Sequence, residues 1–178
     1  MIRRINLYAG PCAGKSTIAA HVFSHFRAKQ VNIELVTEYV KSWAYEERKI
    51  TSYDQLYLLA KQLRQEDLIL RNGVDLIVTD SPILLSACYA QKYGFPSVSA
   101  LREIAAEFEK TYPSLNIFIE RGRTPYNQSG RYETYEQAVE MDAAIEKTIF
   151  AAGVKELFSV SLDTEIIIKL IETKLETF

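Results

Sequence analysis

A chain of 178 residues that is 48% apolar and 25% charged has the length and balance of one soluble globular domain, which excludes a disordered, fibrous or two-domain protein as the starting expectation. Its formal net charge of -2 and pI near 5.8 exclude a uniformly basic surface that tracks nucleic acid, while leaving room for a local basic groove. Cys12 and Cys88 are too few for a disulfide framework and are not spaced as a metal site; no apolar run suits a signal peptide or a bilayer span, so a reduced protein of the cytoplasm without membrane association is expected.

Short apolar strands alternating with amphipathic helices from end to end predict an α/β fold around a mainly parallel sheet, in a single domain over residues 1–178. Ile5 to Ala9 reads as the first strand, followed by a glycine-rich turn and a helix from Lys15 to about Lys29 with Ile18, Ala19, Val22, Phe23 and Phe26 on one face. Asn32 to Thr37 is a second strand. Helices follow around Glu38 to Arg48 and Tyr53 to Arg71, the latter stopped by Asn72-Gly73. Leu76 to Thr79 is a continuous apolar strand of the kind buried on both faces. Helices over Ile83–Tyr93 and Val98–Tyr112 are broken by Gly94-Phe95-Pro96, and Leu115 to Ile119 is the next strand. Glu120 to Arg131 is polar and turn-rich, hence a surface loop, and a lid is expected over about 120–133. A helix from about Tyr135 to Ala152, a strand near Leu157 to Val160 and a helix from Thr164 to Leu175 complete the chain.

The strongest motif lies between the first strand and the first helix, where Ala9-Gly10-Pro11-Cys12-Ala13-Gly14-Lys15-Ser16-Thr17 matches the end of a Walker A loop. Small residues let backbone N–H groups curl around phosphate oxygens, and a helix N-terminus behind them favours negative charge. Residues 10–17 are therefore the expected ATP contacts, with Lys15 on the β- and γ-phosphates and Ser16 on Mg²⁺. Ala9 occupies the position of the first motif glycine, with Gly10 one place later.

Other residues suit an ATP-dependent kinase. Asp80 follows the buried strand and would emerge at the sheet's C-terminal edge, either as a Mg²⁺-organising or proton-accepting group or as an N-cap of the next helix. Glu38 ends the second strand and could take the proton of an attacking hydroxyl, while Tyr39, Lys41 and Trp43 could hold an acceptor; Tyr39 and Trp43 fit a helix stripe equally well. Gln62 is a further candidate acceptor contact on a helix where glutamines mostly face solvent. Arg121, Arg123 and Arg131 bracket the polar loop and suit the spread charge of a transferring phosphoryl group. His21 and His25 have metal-ligand spacing, yet with no acidic or cysteine partner evident they read as surface residues. No Asn-Lys-x-Asp motif is present, which removes a GTPase, and the length disfavours a ring-forming ATPase.

The phosphate loop, Glu38-Tyr39-Val40-Lys41, Asp80-Ser81-Pro82, Tyr112-Pro113 and Gly130-Arg131 ahead of a helix containing Asp142 together resemble the ribosylnicotinamide kinase domain and small bacteriophage P-loop kinases. The resemblance implies a three-layer P-loop kinase fold with a five-stranded mainly parallel sheet, an arginine-bearing lid, ATP and Mg²⁺ as cofactors, and a nucleoside-type hydroxyl acceptor. That acceptor is either a free nucleoside such as nicotinamide riboside or 5-hydroxymethyluracil in phage DNA, a DNA-modification step in the host cytoplasm. An ATPase or ATP-dependent switch without a small acceptor is the alternative. Which of Glu38 and Asp80 is the base, and the oligomeric state, stay open.

Overall fold

The computed structural model of the protein describes residues 1–51, 53–122, 125–127 and 132–176. In chain order the elements are β1 (Arg4–Tyr8), α1 (Lys15–Ala28), β2 (Ile33–Val36), α2 (Lys41–Tyr45), α3 (Asp54–Arg71), β3 (Leu76–Thr79), α4 (Leu85–Lys92), α5 (Val98–Thr111), β4 (Ser114–Ile119), α6 (Tyr135–Ala151), β5 (Leu157–Val160) and α7 (Thr164–Glu176). The strands lie in the order β2-β3-β1-β4-β5, and every neighbouring pair is parallel.

The alternation within β1 explains how the layers form. Ile5 and Leu7 point to one face and join Ile18, Val22 and Phe26 of α1 and Ile167 and Ile171 of α7 in a continuous apolar layer. Tyr8, with Phe118 of β4, points to the other face and packs with Leu59 of α3, Cys88 of α4, Leu101 and Phe108 of α5, and Met141 and Ile145 of α6. Arg4 and Asn6 share that second face and are buried as well, so one side of the central strand carries a polar seam. The result is a three-layer α/β fold with an all-parallel five-stranded sheet.

The chain leaves β1, forms its outward partners β2 and β3 on one side, and then crosses to β4 and β5 on the other. The loop after β1 therefore sits where the direction of winding reverses, the usual crevice for ligands in such sheets. Observed elements fall within a residue or two of the predicted ones except α2, predicted around Glu38 to Arg48 and observed over Lys41–Tyr45. Its first predicted turn is diverted because the Glu38 N–H donates to the Asp80 carboxylate at 3.1 Å, and Glu47 leaves the helical region with φ 53°. Among the described residues, no helix is long and apolar enough to cross a membrane.

Candidate active site

The loop joining β1 to α1 is shaped by two glycines with different reasons to be glycine. Gly14 has φ 89°, a left-handed conformation, and a Cβ there would also come within 2.6 Å of the Leu162 side chain. Gly10 is required by proximity: a Cβ would meet the Ala138 carbonyl and an Asp142 carboxylate oxygen at 2.6 Å each. This is the physical reason that Ala9 is acceptable and Gly10 is not replaceable, since the close approach falls one position later than the motif places it.

Helix α6 holds this loop in place. The Gly10 N–H donates to Asp142 Oδ1 at 2.6 Å, and Arg121 clamps the same carboxylate through Nε at 2.7 Å and Nη2 at 3.2 Å. Arg121 also donates to the Pro11 carbonyl at 2.8 Å. Behind the loop, α1 starts at Lys15 without a side-chain cap, and a helix N-terminus left uncapped in this way favours a bound anion. The Lys15 ammonium donates to the carbonyls of Ala9 and Gly10 at 2.7 and 2.9 Å, folded back over the loop it would leave to reach a phosphate.

Asp80 joins three elements at the sheet edge. Its carboxylate accepts from the Ser16 hydroxyl and from the Glu38 N–H, linking the ends of β3, β2 and the start of α1. The capping alternative is thereby corrected: α4 begins at Leu85 with Leu84 at its N-cap position, five residues from the carboxylate that the P-loop holds. Ser16 and Asp80 present hard oxygen ligands side by side, a donor set suited to Mg²⁺ bound through one carboxylate, a hydroxyl and phosphate oxygens. Among the described residues no group of three or more His, Cys, Asp or Glu residues forms a self-sufficient metal cage.

A cavity of about 460 Å³ runs across these groups. Its floor is residues Pro11 to Ile18, with Asp80 and Ser81 beside them. Leu162 and Thr164 line it from the β5 side of the sheet, and Glu38, Tyr39, Lys41, Gln55 and Gln62 line it from the β2 and β3 side. Ser86, Tyr89 and Tyr93 close the latter end together with Glu133, which is buried in an ion pair with Lys92. Burial pushes the Tyr89 phenol well above its ordinary value, and the Glu38 and Glu133 carboxylates push it further, so it stays a neutral hydroxyl. Pro125 and Tyr132 add to the lining; near them, Cys12 Sγ donates to the Asn127 carbonyl at 3.0 Å, and the Tyr132 hydroxyl donates to the Arg48 carbonyl at 2.7 Å.

Glu38, Tyr39, Lys41, Gln62, Asp80 and the loop from Pro11 to Thr17 thus come together around one space. Gln62 is buried rather than solvent-facing, with 3% exposure. Trp43 does not join them. Its ring is 3% exposed, stacked on Tyr57 at 5.9 Å and covered by the Arg48 guanidinium 3.4 Å from its centre, so no face is left for an acceptor. Arg121 is not a mobile lid arginine; its donors are spent beneath the phosphate loop on Asp142, Pro11 and Ala138. Arg123 and Arg131 lie outside the described residues. His25 has an acidic partner after all, Glu172 of α7 at 2.8 Å, supplied by a helix 147 residues away in sequence. Sequence reasoning missed Gln55, Tyr89, Tyr93, Glu133 and Leu162; only the i, i+4 spacing of Tyr89 and Tyr93 signals a shared face.

Comparison with known proteins follows the same lines. No curated protein matches the chain. Two solved structures of similar fold are the NadR protein in complex with NR, at TM-score 0.64, and the NadR protein in complex with NAD and AMP-PNP, at TM-score 0.65. Both are 14% identical over 91% of this chain, which spans 44% of each NadR chain. The sequence model of a family described as an AAA domain matches residues 4–164, from the first residue of β1 to the first residue of α7. That span contains the phosphate loop, Asp80 and the complete sheet, and the chain belongs to this AAA domain family of P-loop proteins.

Proposed function

We propose that the protein is an ATP-dependent kinase that moves the γ-phosphoryl group to a hydroxyl of a nucleoside-type acceptor. The observation that carries this reading is that one cavity is lined both by the phosphate loop and by Glu38, Gln62, Tyr89, Tyr93 and Glu133, polar and aromatic side chains that ATP hydrolysis alone does not call for. ATP fits with its phosphates on residues 10–17 and its base toward Leu162 and Thr164; the acceptor fits between Glu38, Gln62, Tyr89 and Glu133. The NadR structures, with NR in one and NAD and AMP-PNP in the other, support a nucleoside-type acceptor and an adenine nucleotide on this fold.

In the transfer, the acceptor oxygen bonds to the γ-phosphorus while the bond from that phosphorus to the β–γ bridging oxygen breaks, and ADP leaves. The hydroxyl proton passes to a carboxylate, a role that the presence of Glu38 and Asp80 in the cavity lining supports for either. Lys15, released from its loop carbonyls, neutralises charge on the transferring group. Ser16 and Asp80 would hold Mg²⁺, which supplies charge neutralisation at the phosphates.

The AAA domain description favours a second reading, an ATPase or ATP-driven switch without a small acceptor. A transfer screen with radiolabelled ATP against nucleosides, nucleotides, plain DNA and hydroxymethyl-containing DNA separates them. A labelled nucleoside or base establishes the kinase; ATP turnover indifferent to every acceptor establishes the second reading. A polymeric acceptor is told from a free one by salt, since counterion release makes its apparent KM climb steeply with ionic strength while that of a free nucleoside stays flat.

A further inference from the structure

Helix α6 buries one side on the sheet and keeps a second apolar row in solvent. Ala138, Met141, Ile145, Thr148 and Ile149 face the core, as the helical repeat requires. On the outer side Tyr135, Val139, Ala143 and Phe150 follow one another at helical spacing, which places them in one row along the helix. Tyr135 is 49%, Val139 44% and Phe150 86% exposed, and Ala143 is exposed with them. Single apolar residues scattered over a surface are ordinary, whereas an aligned row with an aromatic ring at each end marks a contact surface.

The charges beside this row are arranged to match a second copy of it. Glu136 and Glu140 lie along one rim near the start of the helix, and Lys147 lies on the same rim near its end; Glu146 is on the opposite rim. When two such helices run antiparallel about a two-fold axis at Ala143, each residue faces the one equally far from Ala143 in the other direction. Lys147 of one copy then falls opposite Val139 of the other, between its Glu136 and Glu140, and the exchange occurs twice. Phe150 of one copy comes level with Tyr135 of the other, so each aromatic end meets an aromatic end, and the small Ala143 at the crossing lets the helices close. The same axis keeps each rim against its counterpart, so Glu146 does not meet Glu140. A parallel pair would instead set Lys147 level with Lys147 and each glutamate level with itself.

We propose that the outer face of α6 is the surface by which two copies of this chain pair, antiparallel, about a two-fold axis at Ala143. One helix pair makes a small interface, so the expected dissociation constant is about 1–100 µM. The pairing does not depend on the kinase reading.

Sedimentation equilibrium of the whole chain should show the 20.3 kDa monomer giving way to its dimer as concentration rises. Phe150→Glu, at a position 86% exposed and so outside the core, should weaken association by at least about 10-fold. The direction of pairing is read by charge exchange. Lys147→Glu alone, and Glu136→Lys together with Glu140→Lys, should each weaken self-association, because each variant meets like charge at both ends of its own dimer. Mixed in equal amounts, the two should associate about as tightly as the unsubstituted protein, since the mixed pair has opposite charges at both ends. Circular dichroism melting checks that each variant is folded, and the Phe150→Glu comparison stands even if a charge variant is not. A monomer at every concentration up to about 500 µM overturns the proposal and leaves the row to a partner of different chemistry. A dimer that Phe150→Glu leaves intact overturns it too, as does a failure of the folded charge variants to recover on mixing.

Discussion

On the proposed kinase reading, Lys15 and the two carboxylates of the cavity take separable tasks, and their geometry predicts separable defects. Lys15 is partly exposed and bonded to loop carbonyls, so Lys15→Ala should lower kcat/KM for ATP by about 10²–10³-fold while the melting curve stays in place. Steady-state kinetics beside circular dichroism melting checks both halves, and near-normal turnover would remove the phosphate-loop role. Asp80 holds Ser16 and the Glu38 backbone, whereas the Glu38 side chain is a lining group of the same cavity, assigned to the acceptor on the proposed reading. Asp80→Asn should therefore cost about 10²-fold in kcat and shift the Mg²⁺ requirement upward, and Glu38→Gln should chiefly weaken use of the acceptor. The two variants are compared by varying Mg²⁺ and acceptor separately; identical profiles would mean that the carboxylates are not divided in this way.

At the scale of elements, the phosphate loop is an overhang held from outside its own segment. Asp142 on α6 accepts from Gly10 and from Arg121, which itself reaches the Pro11 carbonyl, so a helix more than a hundred residues away sets the loop's curvature. Asp142→Ala leaves the Gly10 N–H unpaired and Arg121 without its counter-charge. It should raise the ATP KM about 10-fold and lower stability by about 1–3 kcal/mol, read by nucleotide titration and urea unfolding. Unchanged nucleotide affinity would show that the loop keeps its shape alone. The short α2 makes a related point. Its tryptophan is enclosed by Tyr57 and Arg48 and anchors the α2–α3 corner, so Trp43 stabilises the wall that presents Tyr39 and Lys41.

For the whole molecule, the buried Arg4–Glu66 pair ties β1 to α3 through the core, and it makes stability depend on pH. A carboxyl raised from its ordinary value to about 7 binds its proton more tightly in the folded than in the unfolded chain. Its contribution is complete below the unfolded value near 4.5 and is lost as the pH rises through about 7. The loss is on the order of 3 kcal/mol. Urea unfolding at pH 5 and pH 8 should show the unsubstituted protein losing stability across that interval relative to Glu66→Gln, in which the slope is absent. A parallel pair of curves would place the titrating group elsewhere.

The sequence by itself determined the order and nearly all the boundaries of the elements, because strand and helix periodicities are local and survive without partners. It also located the phosphate loop, whose chemistry sits in eight consecutive residues, and the two carboxylates at strand ends, where a carboxyl side chain after a buried strand must emerge at the edge. What it left open belongs to distance. The clamp of Arg121 and Asp142 on Gly10, the partner of His25, the closure of Trp43 and the relay from Arg4 through Glu66 to Gln62 join residues on different elements. A polar residue in a helix, such as Gln62 or Glu66, is solvent-facing or buried according to what the opposite strand carries. Only the parallel sheet, by turning Arg4 and Asn6 to the α3 face, decided that here.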